Sequence, residues 1–314
     1  MNNVYEKLVK RAAEIGVDLI GFGGIDRFDD PAIRQIFPET RTVIGVVYRV
    51  LRGSFRGIEE GSTYYQYTTT GVETIEEAVM PGALLRLCAE LEDEGFIAIP
   101  QRKNQMLRPK EKELNPEMLH TTWYAAGAKE PQMDFAKAAV ACGLGEIGLS
   151  GSLLTDEFGP FQRYAFILTD AELPETALKT PHLCDNCGEC RKACPGHAID
   201  ENGALNTVQC ATYYRGANMH TNPYMPPDAY ADLPNRDAIM DGTADLSYDE
   251  ALDVMAETYF YPPIKHGYVS SICGRACDRA CYVHLEEKGV LSKSFEEPFR
   301  RRPVWSLPLL KNED

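Results

Sequence analysis

The chain has 314 residues, with 32 Lys and Arg against 47 Asp and Glu, and a formal net charge of −15. That length allows one large domain plus a smaller appendage, and a substantial buried core. A surface of this sign repels phosphate backbones, so no nucleic-acid partner is expected. No stretch approaches about 18 consecutive apolar residues, so no membrane span is expected. The first residues form an amphipathic pattern without an apolar signal region or a twin arginine, and a cytoplasmic location is expected.

Val4, Leu8, Ala12 and Ile15, with charges between them, predict a helix over 4–16. Residues 17–24 read as a strand ending in a glycine turn, and the β-branched run 42–48 as a strand buried on both faces. Apolar positions from Ile75 to Leu91 predict a helix over 74–94, kinked or split at Pro81-Gly82. A short strand at 96–99 leads into a polar segment, 101–116, expected to be an exposed loop. A small apolar helix over 135–142 enters a glycine-rich segment, and 164–169 is a further strand. This alternation predicts a layered α/β domain up to about residue 175.

The glycine-rich segment carries Gly143, Gly145, Gly148, Ser150, Gly151 and Gly159, the candidate cofactor-binding residues. Glycines there would allow close backbone approach to a large ligand, or they are turns with no ligand. No strand precedes the segment and no acidic residue stands at the ribose position, which argues against a dinucleotide loop.

Beyond it, Cys184, Cys187, Cys190 and Cys194, followed by Pro195, have the spacing C-x2-C-x2-C-x3-C-P of bacterial ferredoxins. In that arrangement three thiolates bind one iron–sulfur cluster and the fourth serves a second. Two 4Fe–4S clusters need further thiolates, and Cys210, Cys273, Cys277 and Cys281 supply them. The crossed-over logic assigns Cys184, Cys187, Cys190 and Cys281 to one cluster, and Cys194, Cys210, Cys273 and Cys277 to the other. The second run, C-x3-C-x3-C, steps by about one helical turn, so its cysteines could share one helix face. A disulfide or a single cluster with an open coordination position competes for that run. Cys88 and Cys142 stand in apolar contexts suited to small buried side chains. Segment 211–272 reads as an insertion with its own helix over 246–259, begun by Ser247 with Glu250 three residues on. The tail, 295–314, is expected to wrap over the surface.

Gly143-Leu-Gly-Glu-x-Gly148, Gly151, Glu157-Phe-Gly159-Pro, Arg163 and Thr169-Asp170-x-x-Leu173, upstream of the cysteine run, resemble the corrinoid iron–sulfur reductases, the reductive dehalogenases and epoxyqueuosine reductases. Phe37-Pro38-x-x-Arg41-x-Val43-Ile44 is similar to the epoxyqueuosine reductases as well. The resemblance covers residues 30–50 and 130–285. It implies a nitroreductase-like α/β domain over 1–175, a two-cluster ferredoxin-like domain over 176–294, and a tail. It also implies bound cobalamin, with flavin as the alternative cofactor, and an external electron donor of ferredoxin or flavodoxin type. The expected activity is reduction of a small-molecule substrate. A carrier that reduces a partner's corrinoid or flavin without its own turnover is the second reading, and a zinc-stabilised binding module the third. Leu149 departs from the family, which places Lys or Arg after Gly148. Tyr124 and Asp134 lie where these enzymes place a catalytic Tyr or Asp, although a core tyrosine and a helix cap explain them equally. His120 is a further acid candidate, and His182 and His197 flank the cysteine run.

Overall fold

The β-branched run becomes β2 (Thr42–Arg49), buried along all but its last residue. The computed structural model describes residues 2–60, 63–102, 131–258 and 270–299. β2 pairs antiparallel with β1 (Leu19–Gly24) and with β6 (Gln162–Thr169), and β6 pairs with β3 (Ala98–Gln101), giving the order β1-β2-β6-β3. Side chains alternate across this sheet, as strand geometry requires. Ile44, Val46 and Tyr48 join Ala165 and Ile167 on one face, while Val43 and Val47 join Phe166 and Leu168 on the other. The first face is covered by α1 (Asn2–Glu14), through Val4 and Leu8, and by Leu84, Leu87 and Leu91. The second is covered by Ile33 of α2 (Pro31–Ile36) and by Ala138 and Ala139 of the helix at Phe135–Ala141. The result is a mixed α/β fold with an antiparallel sheet between helical layers.

After a short α3 (Arg56–Glu60), the chain winds as a π-helix over Tyr67–Val79 and continues as α4 (Met80–Asp93). The expected break at Pro81-Gly82 is replaced by a change of hydrogen-bond register. Met80 N–H donates to Ile75 O, five residues back, and Pro81 falls in the first turn of α4, where a missing N–H costs nothing. The wide winding buries Tyr67, Thr68 and Val72 under the second cysteine stretch, where Ser271 N–H donates to Thr68 Oγ1.

Helix α5 (Phe135–Ala141) begins on Asp134, whose Oδ1 accepts from the N–H groups of Ala136 and Lys137. Asp30 caps α2 and also accepts from Asp134 N–H, so two carboxylates tie the starts of both helices together. Asp134→Ala is expected to cost about 1 kcal/mol, the usual worth of an N-cap, read as a lower thermal midpoint with unchanged iron content.

Past α6 (Glu189–Lys192) come α7 (Thr207–Tyr214), α8 (Arg236–Asp241) and α9 (Tyr248–Glu257). They enclose a small separate core of Tyr213, Tyr230, Ile239, Leu246 and Val254. α9 opens with the capping box of Ser247 and Glu250. α10 (Ala276–Glu287) then returns to the main body: Tyr282 stacks on Phe161 at 4.3 Å, and Phe299 closes over both rings. Among the described residues no helix is long and apolar enough to cross a membrane. The loop expected at 101–116, from residue 103 on, and the tail beyond residue 299 lie outside the described residues.

Candidate functional site

The site is built on a hairpin, β4 (Glu146–Ile147) against β5 (Leu153–Leu154). Glu146 points inward at 5% exposure and accepts three backbone hydrogen bonds, from His182 at 2.6 Å, Leu183 at 3.1 Å and Cys184 at 2.8 Å. This carboxylate fixes the chain at the residue where the cysteine run starts. Gly188, at φ 78°, then makes the left-handed turn between Cys187 and α6, whose Cys190 is buried.

Cys184, Cys187, Cys190 and Cys281 line one recess, roofed by Gly148, Leu149 and Ser150 of the hairpin loop. Leu149 N–H points at Cys184 Sγ, 3.3 Å away. Cys187 is exposed, so this group reaches the surface. Its rim carries Asp185, bonded to Lys288 Nζ at 2.9 Å and His284 Nε2 at 3.0 Å. These two partners, Lys288 first, hold the Asp185 carboxyl well below the usual carboxylate range. Asp185, Cys187 and His284 also present ligand atoms close enough together to hold a metal ion.

The second group, Cys194, Cys210, Cys273 and Cys277, is half-buried throughout. Burial pushes the Cys210 thiol up to about 11, and the charges of Cys273 and Cys194 push the same way. Burial is also the main cause raising Cys277, with Cys273 and Cys210 adding to it. Cys210 thus feels the charges of Cys194 and Cys273, and Cys277 those of Cys273 and Cys210, while Ala198 N–H approaches Cys194 Sγ at 3.3 Å. The expectation that Cys273, Cys277 and Cys281 share a helix face needs correction. Gly274 and Arg275 both take φ 52°, in the left-handed region, so Cys273 precedes the helix and only Cys277 and Cys281 ride on α10. One turn apart, they face different groups. All ten cysteines are free; Cys88 and Cys142 are packed in the apolar clusters on opposite faces of the sheet.

The glycines divide. Gly148 and Ser150 face the first recess. A Cβ on Gly145 would lie 2.1 Å from Leu154 O, and one on Gly143 would lie 2.6 Å from Ala177 O. Their close approaches are to the protein's own backbone. Gly151, at φ 75°, forms the hairpin tip, and Gly159 packs under Leu285 and Leu291. Gly145→Val is expected to force the hairpin apart, with loss of folded protein in a thermal melt and of iron together. A variant that melts like wild type would contradict this packing.

Tyr124 and His120 lie outside the described residues. Asp134 is the α5 cap. His182 bridges Thr180 O and Asp156, and is half exposed. Sequence reading missed the pair of Tyr67 and Arg163, whose guanidinium donates to the phenol oxygen at 2.7 Å. It is near the second group: Tyr214, four residues beyond Cys210 in the sequence, feels the charges of both Arg163 and Cys273. Arg163 was visible only as part of a family motif, and nothing in the sequence marked Tyr67. Glu146 likewise stood inside the quoted glycine motif without an assigned role.

Enclosed thiol groups beside a redox-suited scaffold define a candidate iron–sulfur protein, and comparison with known proteins narrows this. No family model matches the chain. It is 40% identical over 105 residues to a tetrachloroethene reductive dehalogenase of Desulfitobacterium hafniense, covering 32% of this chain and 19% of that protein. It is 25% identical over 264 residues to the epoxyqueuosine reductase of Bacillus subtilis, covering 74% and 61%. The chain thus spans less than two thirds of the length of these relatives. These matches relate it to the superfamily of epoxyqueuosine reductases and reductive dehalogenases. A solved epoxyqueuosine reductase bound to a tRNA-Tyr stem loop aligns over 92% of this chain and 83% of its own, with 13% identity and a TM-score of 0.48. That complex corrects the expectation of no nucleic-acid partner, because an epoxyqueuosine reductase does bind RNA. Net charge averages over a whole surface, whereas a phosphate backbone responds to the local field.

Proposed function

We propose that the chain is a cytoplasmic iron–sulfur reductase. The first cysteine group would receive electrons and the second would pass them on, and a corrinoid, where bound, would supply the reducing centre for a substrate. The observation that carries this reading is the division of eight thiols into two sets by one short helix, with Cys277 in one set and Cys281 in the other. Each set suits a 4Fe–4S core: four sulfur donors, with a backbone N–H directed at one sulfur, from Leu149 in the first and Ala198 in the second. Such clusters supply one-electron carriage, and a corrinoid supplies a strongly reducing metal centre.

The residues have separable tasks. Glu146 holds the first run in register, and exposed Cys187 gives that group its contact with the outside. One helical turn rises about 5.4 Å, so α10 keeps the two groups adjacent for transfer. Tyr67, on the core side, is a candidate proton donor besides Tyr124, which lies outside the described residues. Arg163 already donates to the Tyr67 oxygen and would hold the phenolate left behind. Asp134, the other candidate, has one carboxylate oxygen engaged in capping. The proposed division into 1–175, 176–294 and a tail follows these tasks, with Tyr282 of the second part and Phe299 of the tail packing onto the first.

The corrinoid rests on the sequence relationship. Among the described residues, Gly143 and Gly145 form no cradle for it, since they pack on their own chain. That packing, together with Leu149, favours the second reading, a carrier that reduces a partner's cofactor. Anaerobic purification with a metal assay and a visible spectrum separates the two. About eight irons per chain with a corrinoid spectrum is the expected result. Iron with neither corrinoid nor flavin binding would establish the carrier, and zinc without iron would overturn both.

A further inference from the structure

We propose that the groove between α8 and α9 is a docking site for a basic, amphipathic segment of a partner protein. Such a segment offers apolar side chains to the floor of the groove and Lys or Arg to its rim. This surface lies outside the two thiol groups, and the proposal holds whether or not they carry two clusters.

The groove follows from how the insertion folds. In α9, Glu250, Asp253 and Val254 stand at helical spacing and share one face, with Leu246 just ahead of the helix. Across from them are Leu233, Ala238 and Ile239, of α8 and the turn before it, and the open space between measures about 480 Å³. Ile239, Leu246 and Val254 are buried beneath it, so the floor is apolar. The rim is acidic. Asp245 and Asp253, both exposed, complete the lining with Glu250. Glu250 is engaged by Ser247 in the capping box, whereas Asp245 and Asp253 have no hydrogen bond or ion pair among the described residues.

Buried side chains fix the walls. Gln209 Nε2 donates to Ala244 O, and Leu246 N–H donates back to Gln209 Oε1 at 3.1 Å. Asn218 Nδ2 donates to Pro195 O at 2.7 Å and to Asp241 O, at the end of α8, at 3.3 Å. Gln209 and Pro195 adjoin Cys210 and Cys194 in sequence. A partner seated in the groove therefore rests on the frame that positions those two thiols.

Charge identifies the kind of partner. Between residues 216 and 258, nine Asp and Glu stand against one cation, Arg236, a net −8 out of the chain's −15. Arg236 is itself engaged, donating to Ala229 O and Pro227 O, both at 2.7 Å. A surface this one-sided attracts and steers polycations. Charge alone would hold a cation anywhere on this unit. The apolar floor confines binding to one groove, the way amphipathic helices are held by their apolar face.

The test is fluorescence anisotropy of the full chain with a short labelled peptide that has leucines at helical spacing and lysines between them. Saturable binding is expected in low salt, weakening as ionic strength rises. A peptide with serine in place of each leucine keeps the charge and should bind at least about tenfold more weakly. Asp245→Asn combined with Asp253→Asn should weaken the leucine peptide about fivefold. Asp228→Asn with Glu257→Gln removes as much charge from the same unit outside the groove, and should change affinity less than about twofold. Ala238→Trp should fill the groove and abolish the leucine peptide's advantage over the serine peptide. Absence of saturable binding, equal binding of the two peptides, equal weakening by the two charge pairs, or unchanged binding by Ala238→Trp would each overturn the proposal. Should Ala238→Trp misfold in a thermal melt, the two charge pairs decide alone: a larger loss from the rim pair supports the groove, and an equal or smaller one refutes it.

Discussion

Cys281→Ser, reconstituted anaerobically, is expected to hold about four irons per chain where wild type holds about eight. The lost cluster is that of Cys184, Cys187 and Cys190, even though Cys281 lies far from them in sequence and only one turn from Cys277. Leu285, one turn further along α10, packs with Leu154 and Leu183, which brings the Cys281 face of the helix to the first recess. Cys277 sits one turn nearer the start of α10, where the charges of Cys273 and Cys210 bear on it. Cys277→Ser should therefore remove the complementary half of the iron, and Cys88→Ser should remove none. The readouts are iron content and the number of distinct cluster signals. Full iron in Cys281→Ser, or loss of both clusters in either single variant, would show that the two groups are not separate sites.

The second large effect is expected at Glu146. Replacing it with Ala strands three backbone N–H groups, those of His182, Leu183 and Cys184, the Leu183 one fully buried and the others partly. Unsatisfied buried donors cost about 1–3 kcal/mol each, so a loss on the order of 3–5 kcal/mol is expected. The cost falls on the segment that positions Cys184, and iron in the first group should be lost with it. Glu146→Gln should be milder. Its one carbonyl oxygen can still accept from His182 and Leu183, but its amide would then face the Cys184 N–H. A thermal midpoint and iron content for Glu146→Ala equal to those of wild type would show that the carboxylate is dispensable.

Most of the sheet was legible because its signals are local. The runs at 42–48, rich in β-branched residues, and 164–169 are continuous and apolar, and their burial follows from having helices on both faces. The capping box at Ser247 and Glu250 was readable for the same reason: all its parts lie within four residues. The hairpin at Glu146–Leu154 was not, since two-residue strands carry no periodicity and glycines there suggested a ligand instead of close contact with Leu154 O. Within the candidate site, the spacing of the cysteines is a property of sequence. Which group each late cysteine faces depends on the packing of Leu285 and on the left-handed turn at Gly274 and Arg275, and a one-dimensional pattern encodes neither. The Tyr67–Arg163 pair was hidden similarly, because a π-helix and a strand far apart in sequence had to meet first.

The placement of Cys277 and Cys281 on α10 also fixes an order of maturation. During synthesis, the first cysteine run emerges when the helix that completes it has still to be made. Neither thiol set is whole until residues near the end of the described chain have left the ribosome and α10 has docked on Leu154 and Leu183. On the two-cluster reading, neither cluster can be completed before α10 is made, and a nascent chain stalled before residue 277 would expose two incomplete thiol sets. Truncation just upstream of α10 would not yield a half-loaded protein; it would yield one that completes neither centre.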